Sequence, residues 1–280
     1  MRLPYNTEMR NDFARFEYEG WQRVADKYDS VWSPHTRQFI PYLLEAADVS
    51  AGTTVLDVAC GPGYVSEYVR NLGAIPTGID FSEKMVGIAK RMFPEISFRR
   101  GDAQNLPVGN ESFDRVLINF GLLHVAHPEQ ACAEACRVLK AGGKFGFTVW
   151  AGPEHNPGAK IVNDAIQAHA DLNVKLPEGP PHYLYGDREE CRKVLSEAGF
   201  AGQTMTYRTH LLEWQLPSAS FLFEAERDAG VRTTGLLKLQ TAERLDAIRK
   251  AIESGVKKYA KGDGFAVPFA AHIVVVMKLK

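Results

Sequence analysis

The residues best suited to chemistry fall in four short clusters. Asp57-Val58-Ala59-Cys60-Gly61-Pro62-Gly63 sets an acid ahead of two glycines. Glycines let the backbone approach a ligand closely. A helix opening behind such a turn offers N–H groups and a positive dipole end to a carboxylate or phosphate. The match to G-x-G-x-x-G is poor, because Ser66 stands where the third small residue belongs. Asp80 follows 17 residues after Gly63, and a carboxylate there can accept from two ribose hydroxyls. Phe81 and Met85 can wall a flat ring or serve as ordinary core. Asp102, in Gly101-Asp102-Ala103-Gln104-Asn105-Leu106-Pro107, can accept from a ring amino group, with the next N–H bonding to the ring itself. His124, in Phe120-Gly121-Leu122-Leu123-His124, is either a general base or an imidazole that orients its neighbours. His127 completes an H-x-x-H spacing without a convincing third ligand. Cys132 and Cys136, at i and i+4, read as small buried side chains, so no metal site is expected.

These clusters need elements that bring them together. Residues 54–58 are a short apolar strand running into the glycine turn, and 64–72 a helix. A second strand, 74–79, ends at Asp80, and Ser82 caps a helix reaching about residue 92. Strands at 96–100 and 113–119 end at Gly101-Asp102 and Asn119. A helix over 128–139, closed by Ala141-Gly142-Gly143, precedes a fifth strand at 144–150. Such alternation implies a parallel sheet with helices on both faces. Its ligands bind at the carboxyl ends of the strands, where the glycines, Asp80, Asp102 and Asn119 fall. Beyond residue 150 the pattern loosens into a helix at 187–198, a strand at 203–214, an amphipathic helix at 241–259 and a strand at 272–279. The apolar run of that last strand places it centrally in the sheet.

The ordered blocks Val55-Leu56-Asp57-Val58-Ala59-Cys60-Gly61-Pro62-Gly63, Gly78-Ile79-Asp80-Phe81-Ser82, Gly101-Asp102-Ala103 with Leu106-Pro107, Ser112-Phe113-Asp114 and Arg137-Val138-Leu139-Lys140-Ala141-Gly142-Gly143 carry a resemblance. They resemble the class I S-adenosylmethionine-dependent methyltransferases, above all the branch that includes the ubiquinone/menaquinone-biosynthesis C-methyltransferases. The resemblance covers residues 20–150, with Gly199-Phe200 a weaker later match. It implies an α/β fold: a Rossmann-like, seven-stranded, mostly parallel sheet with an antiparallel last strand. It implies S-adenosylmethionine as cofactor and S-adenosylhomocysteine as product. The loop Asp57, Ala59, Cys60, Gly61 and Gly63 would hold the methionine part. Asp80 would take the ribose, Phe81 and Met85 the adenine faces, and Asp102 with Ala103 the adenine edge. Asn119 would lie near the methyl group. Pro62 departs from the family, which often has threonine or serine there.

The division expected is a helical lid at 1–50, a cofactor-binding core at 51–150, lid insertions at 151–186 and 215–270, and the remaining sheet at 187–214 and 271–280. The aromatic and histidine residues Tyr18, Trp21, Tyr28, Trp32, Trp150, His155, Tyr183 and Tyr185 are expected to face a small apolar or aromatic acceptor. Methyl transfer is then an in-line displacement governed by positioning, with His124 the candidate base.

Composition narrows the partners. The 280 residues carry 33 lysines and arginines against 34 aspartates and glutamates. That balance gives no broad basic field for nucleic acid. The longest wholly apolar run near the C-terminus, Ile273 to Met277, is far too short for a membrane span. The first 20 residues lack a secretory h-region. A cytoplasmic monomer or homodimer is the expectation. The competing readings are an S-adenosyl-binding protein with another activity or a regulatory role, and an NAD(P)-dependent oxidoreductase, against which the Gly101-Asp102-Ala103 block and the missing third glycine count.

Overall fold

A computed structural model describes residues 12–279. Strands β1 (Thr54–Val58), β2 (Ile75–Asp80), β3 (Ser97–Arg100), β4 (Phe113–Asn119), β5 (Leu139–Trp150), β6 (Thr206–Leu216), β7 (Ala260–Lys261) and β8 (Gly264–Met277) form one sheet. Its order is β3-β2-β1-β4-β5-β8-β6, with the two-residue β7 folded back on β8. β1 to β5 run parallel, and β8 is antiparallel to both β5 and β6. The seven-stranded plan with an antiparallel last strand therefore holds, with β7 as a small eighth member.

The sheet is filled on both faces. α3 (Ile40–Ala46) and α4 (Tyr64–Asn71) pack against one face through Leu43, Val65 and Val69, which meet Val55, Leu117, Ile273 and Val275. α6 (Pro128–Val138) and α8 (Arg188–Glu197) pack against the other through Cys132 and Leu195, which meet Val116, Ile118, Val274 and Val276. Alternate residues of β4 and β8 thus enter opposite cores, which is why Val116–Ile118 and Ile273–Met277 are unbroken apolar runs. Cys132, Cys136 and Cys191 are buried and unpaired in that packing.

Three boundaries differ from the sequence reading by three residues or more. β5 starts at Leu139, before the glycines expected to close α6; a register shift between Phe113 and Arg115 absorbs the bulge around Gly142 (φ +75°). β6 starts three residues late. β8 begins at Gly264, eight residues before the strand expected at 272. Only Ala271–Met277 of β8 pairs with β5, whereas Phe265–Val275 pairs with β6. The first half of β8 and the end of β6 therefore form a ribbon rising past the carboxyl end of β5. A long two-stranded ribbon is invisible to local pattern, because Phe265-Ala266-Val267-Pro268 contains a proline that argues against a strand.

This ribbon carries the helices that stand over the sheet edge: α7 (Pro157–His169), α9 (Phe221–Asp228), α10 (Arg232–Lys238) and α11 (Ala242–Lys257). Val162, Leu222, Phe223, Leu237, Ile248 and Ile252 close a separate core on Trp214, Val267 and Phe269. Gly158 brings α7 against the ring of Phe269: a Cβ there would lie 2.1 Å from it. From the other end of the chain α1 (Asp12–Val31) and the short α2 (Ser33–Thr36) cross the same edge. α1 packs on α5 (Glu83–Met92). Residues 1–11 of the expected N-terminal lid lie outside the described residues.

Candidate functional site

The site forms where the strand order reverses, between the carboxyl ends of β1 and β4, the usual ligand position in an open α/β sheet. Ala59 and Phe120, the residues directly after those strands, both have positive φ, +53° and +56°. Non-glycine residues adopt this only when their surroundings impose it. The two turns abut: a Cβ on Gly121 would stand 2.6 Å from that of Ala59. Gly61 (φ +52°) faces open space, with nothing within 4 Å of a Cβ built there.

The donors of the glycine turn are largely engaged within the protein. Gly61 N–H donates to Asp80 Oδ2 at 2.9 Å and Ser82 N–H to Asp80 Oδ1 at 2.8 Å. Gly63 N–H donates to the Cys60 carbonyl. Ser66 donates to Asp57 Oδ2 from its N–H (3.0 Å) and its hydroxyl (2.7 Å). What the turn leaves available is acceptors. Asp57 Oδ1 and Asn119 Oδ1 are buried without a protein partner. Both residues line a cavity of about 50 Å³ with Cys60, Gly61, Tyr28 and Tyr64. Two unsatisfied oxygens fit a cationic group, such as the ammonium of a methionine moiety. Burial raises the Asp57 carboxyl to about 7, against the hydrogen bonds from Ser66. Burial likewise raises Asp80 to about 6, moderated by the Ser82 and Gly61 N–H groups. Asp80 keeps spare lone pairs on both oxygens.

A second cavity, about 70 Å³, opens beside the β3 end and is walled by Phe81, Asp102, Ala103, Gln104, Val125 and Tyr18. Gln104 holds the Asp102 carboxylate from its N–H (2.9 Å) and its side-chain amide (3.1 Å). Tyr18 meets Phe81 edge-on at 5.9 Å. Tyr18, expected on the acceptor, thus stands in this cleft, because α1 crosses it before reaching the next cavity. Met85, expected on the ring face, does not reach the wall. It is 2% exposed and packs with Ala25 and Ile88 on the face of α5 that meets α1.

The third cavity, about 370 Å³, is the largest of these three. Of the residues expected to face the acceptor, Trp21, Tyr28, Trp32, Trp150 and Tyr183 line it, joined by Phe120 and Phe269. His155 and Tyr185 do not. His155 is exposed in an outer cleft beside Lys160 and Tyr259, because the turn at Pro153–His155 faces away from the cavity. Tyr185 is 3% exposed and belongs to the core under α6 and α8, against Cys132 and Phe147.

His124 lines both the second and third cavities, and Tyr28 both the first and third. His124 Nδ1 lies 2.9 Å from Oε2 of Glu17, a carboxylate with no exposed surface. Arg232 Nε donates to the other oxygen at 3.1 Å, and its guanidinium also donates to the carbonyls of Pro180 and Leu123. The Trp21 ring stands edge-on to His124 at 4.7 Å. Glu226 lines the third cavity too; burial raises its carboxyl to about 7, against a hydrogen bond from Thr233. His182, on the same wall, is lowered by burial to about 3 and so is neutral. The sequence reading missed Glu17, Arg232 and Glu226. Two of them left a trace. Glu17 shares a helical stripe with Phe13, Gly20 and Val24, and Glu226 one with Leu222 and Ala229; an acid on an apolar stripe needs a reason. Arg232 left none. Among the described residues no group of three or more His, Cys, Asp or Glu could hold a metal ion.

The methyltransferase-domain family matches residues 56–147. The demethylmenaquinone methyltransferase of Paenarthrobacter aurescens (strain TC1) is 33% identical over 198 residues, covering 66% of this chain and 78% of that protein. Among solved structures, the YcgJ protein of Bacillus subtilis superposes with a TM-score of 0.57 at 18% identity, over 87% of this chain and 99% of that one. Phosphoethanolamine N-methyltransferase 2 of Haemonchus contortus, solved with phosphomonomethylethanolamine and S-adenosylhomocysteine, gives 0.53 at 15% identity, over 87% of this chain and 53% of that one. The last two likenesses concern the fold alone. With a sheet that reverses at β1 and β4, a glycine turn facing open space and 33% identity over the 198 residues aligned with the Paenarthrobacter relative, this chain is an enzyme of the class I S-adenosylmethionine-dependent methyltransferases, in the branch of the quinone-biosynthesis methyltransferases.

Proposed function

We propose that this methyltransferase acts on a small planar aromatic acceptor of quinone type, held in its reduced, hydroxylated form in the third cavity. The observation that carries the reading is the aromatic lining of that cavity, which shares the walls His124 and Tyr28 with the two cavities of the cofactor side. The relatives' printed name, demethylmenaquinone methyltransferase, supports the acceptor class.

The cofactor supplies a methyl group on a sulfonium, already activated for in-line displacement. Asp57 and Asn119 would hold its ammonium through the two free oxygens. Asp80 would take the ribose hydroxyls, and Asp102 with Ala103 the adenine edge, with Phe81 and Tyr18 against the ring. The aromatic walls exclude water and fix the acceptor plane, which supplies much of the acceleration in such a reaction. Glu17 holds His124 by Nδ1, which leaves Nε2 as the imidazole's free position for a proton from the acceptor. Residues 12–50, 151–186 and 215–263 act as the lid over this edge.

The test is transfer of label from methyl-labelled S-adenosylmethionine to a panel of reduced naphthoquinones, reduced benzoquinones, catechols and aliphatic amines. Label in the quinols is the expected outcome. Label in the amines alone, or in none of the panel, overturns the acceptor reading.

A further inference from the structure

One charged group of the third cavity has no role in the scheme above. Glu226 sits on α9 with Leu222 and Ala229 on its own face, both packed in the helical core. Its side chain is half-buried and lines the cavity wall. The arginines nearest in sequence are engaged elsewhere: Arg227 with Asp228 at 2.7 Å, and Arg232 with Glu17 at 3.1 Å. Thr234 donates to the backbone carbonyl of Glu226 rather than to its carboxyl. A carboxyl in such a position is costly unless a donor meets it, and Thr233 supplies one. A carboxylate has room for several more.

We propose that Glu226 recognises the acceptor, accepting a hydrogen bond from a hydroxyl on the aromatic ring and so selecting hydroxylated acceptors over their ethers. The inference rests on the aromatic-acceptor reading and adds its polar determinant. Its chemistry follows from the cavity. Aromatic walls bind any flat apolar ring with little discrimination, whereas a buried acceptor left unpaired rejects an analogue that lacks the donor. The other ionisable groups on the wall do not duplicate it. His124 is held by Glu17, Arg232 donates to Glu17, and His182 is neutral. Burial keeps Tyr183 and Tyr28 protonated. Above about pH 7 Glu226 is then the cavity's one anion able to take the acceptor's proton donor, among the described residues.

The test uses two redox-stable probes, 1-naphthol and its methyl ether, titrated calorimetrically near pH 8.5, where the carboxyl is ionised. The wild-type protein, with S-adenosylhomocysteine bound, is compared with Glu226→Leu and Glu226→Gln. Wild type is expected to prefer the naphthol by about tenfold or more, the scale of a hydrogen bond to a charged acceptor. Glu226→Leu should bind both probes alike while keeping its affinity for S-adenosylhomocysteine. Glu226→Gln, which keeps an oxygen but loses the charge, should fall severalfold short of wild type and decides the matter if the leucine variant does not fold. Equal binding of the two probes by wild type overturns the proposal, as does full preference in either variant. Failure of wild type to bind either probe overturns the aromatic-acceptor reading itself, and the proposal with it.

Discussion

At the residue scale, the orphaned oxygens of Asp57 and Asn119 distinguish this site from a simple anion cradle. The N–H groups of Gly61, Gly63 and Ser66 pin the turn to Asp80, Cys60 and Asp57, so a cation is the better guest beside them. Asp57 is raised to about 7 by burial, and a bound ammonium favours its ionised form. Cofactor affinity should therefore rise as pH climbs from about 5 to about 7, with a proton released on binding. Asp57→Asn should remove most of that dependence and weaken binding about tenfold to a hundredfold. Calorimetric titration with S-adenosylhomocysteine at several pH values checks this. A wild-type affinity that does not change with pH would remove Asp57 from the ammonium contact.

At the scale of elements, α1 is more than a cover. Its buried stripe is Phe13, Glu17, Gly20 and Val24. Gly20 admits Val231, just ahead of α10, so closely that a Cβ would lie 2.4 Å from it. Glu17 then meets His124 from β4's carboxyl end and Arg232 from α10, while Arg232 reaches the 177–181 loop at Pro180. One carboxylate thus fastens α1 and α10 to the sheet edge, and Arg232 adds the loop at Pro180. Glu17→Gln should cost about 1–3 kcal/mol of stability; the 19% exposure of the Arg232 side chain tempers the loss. It should also lower kcat more than it raises KM, because His124 loses its orientation. Thermal unfolding and steady-state kinetics read the two effects separately. Lost stability with unchanged kcat would make Glu17 a strut and nothing more.

For the whole molecule, buried ionisable groups of opposite tendency balance one another. Burial lowers His35 and His182 to about 3 and His272 to about 4. Stability from these neutral histidines is present above their unfolded value near 6.5 and is lost as pH falls. Burial raises Asp57 and Glu226 to about 7 and Asp80 to about 6. Their contribution has the other sign: it is present below about pH 4 and is lost as pH rises towards 7. Between about pH 4.5 and 6 the folded and unfolded chains bind nearly equal numbers of protons at these six groups. Urea unfolding of the ligand-free protein should show almost constant stability across that window. The double variant Asp57→Asn, Glu226→Gln should become more stable with rising pH there, since the histidines are no longer offset. A steep slope in the wild type would contradict the balance.

What the sequence determined by itself was local. Strand, turn and helix follow from a few consecutive residues, so the β1 turn, Asp80, Asp102 and the parallel core could be read directly, and the resemblance of the five blocks named the cofactor. The central place of β8 was legible for the same reason, because a strand buried on both faces must be apolar throughout. Which side chain faces which cavity was decided by tertiary structure. Tyr18 and Tyr185 do not differ in type from Tyr28 and Tyr183, and nothing local to Met85 or His155 shows which way they point. Only the crossing of α1 over α5, the direction of the turn before α7 and the packing under α8 sort them. The pairing of Glu17 with Arg232 spans 215 residues of chain. No local pattern encodes a contact that depends on how three separate elements meet over one sheet edge.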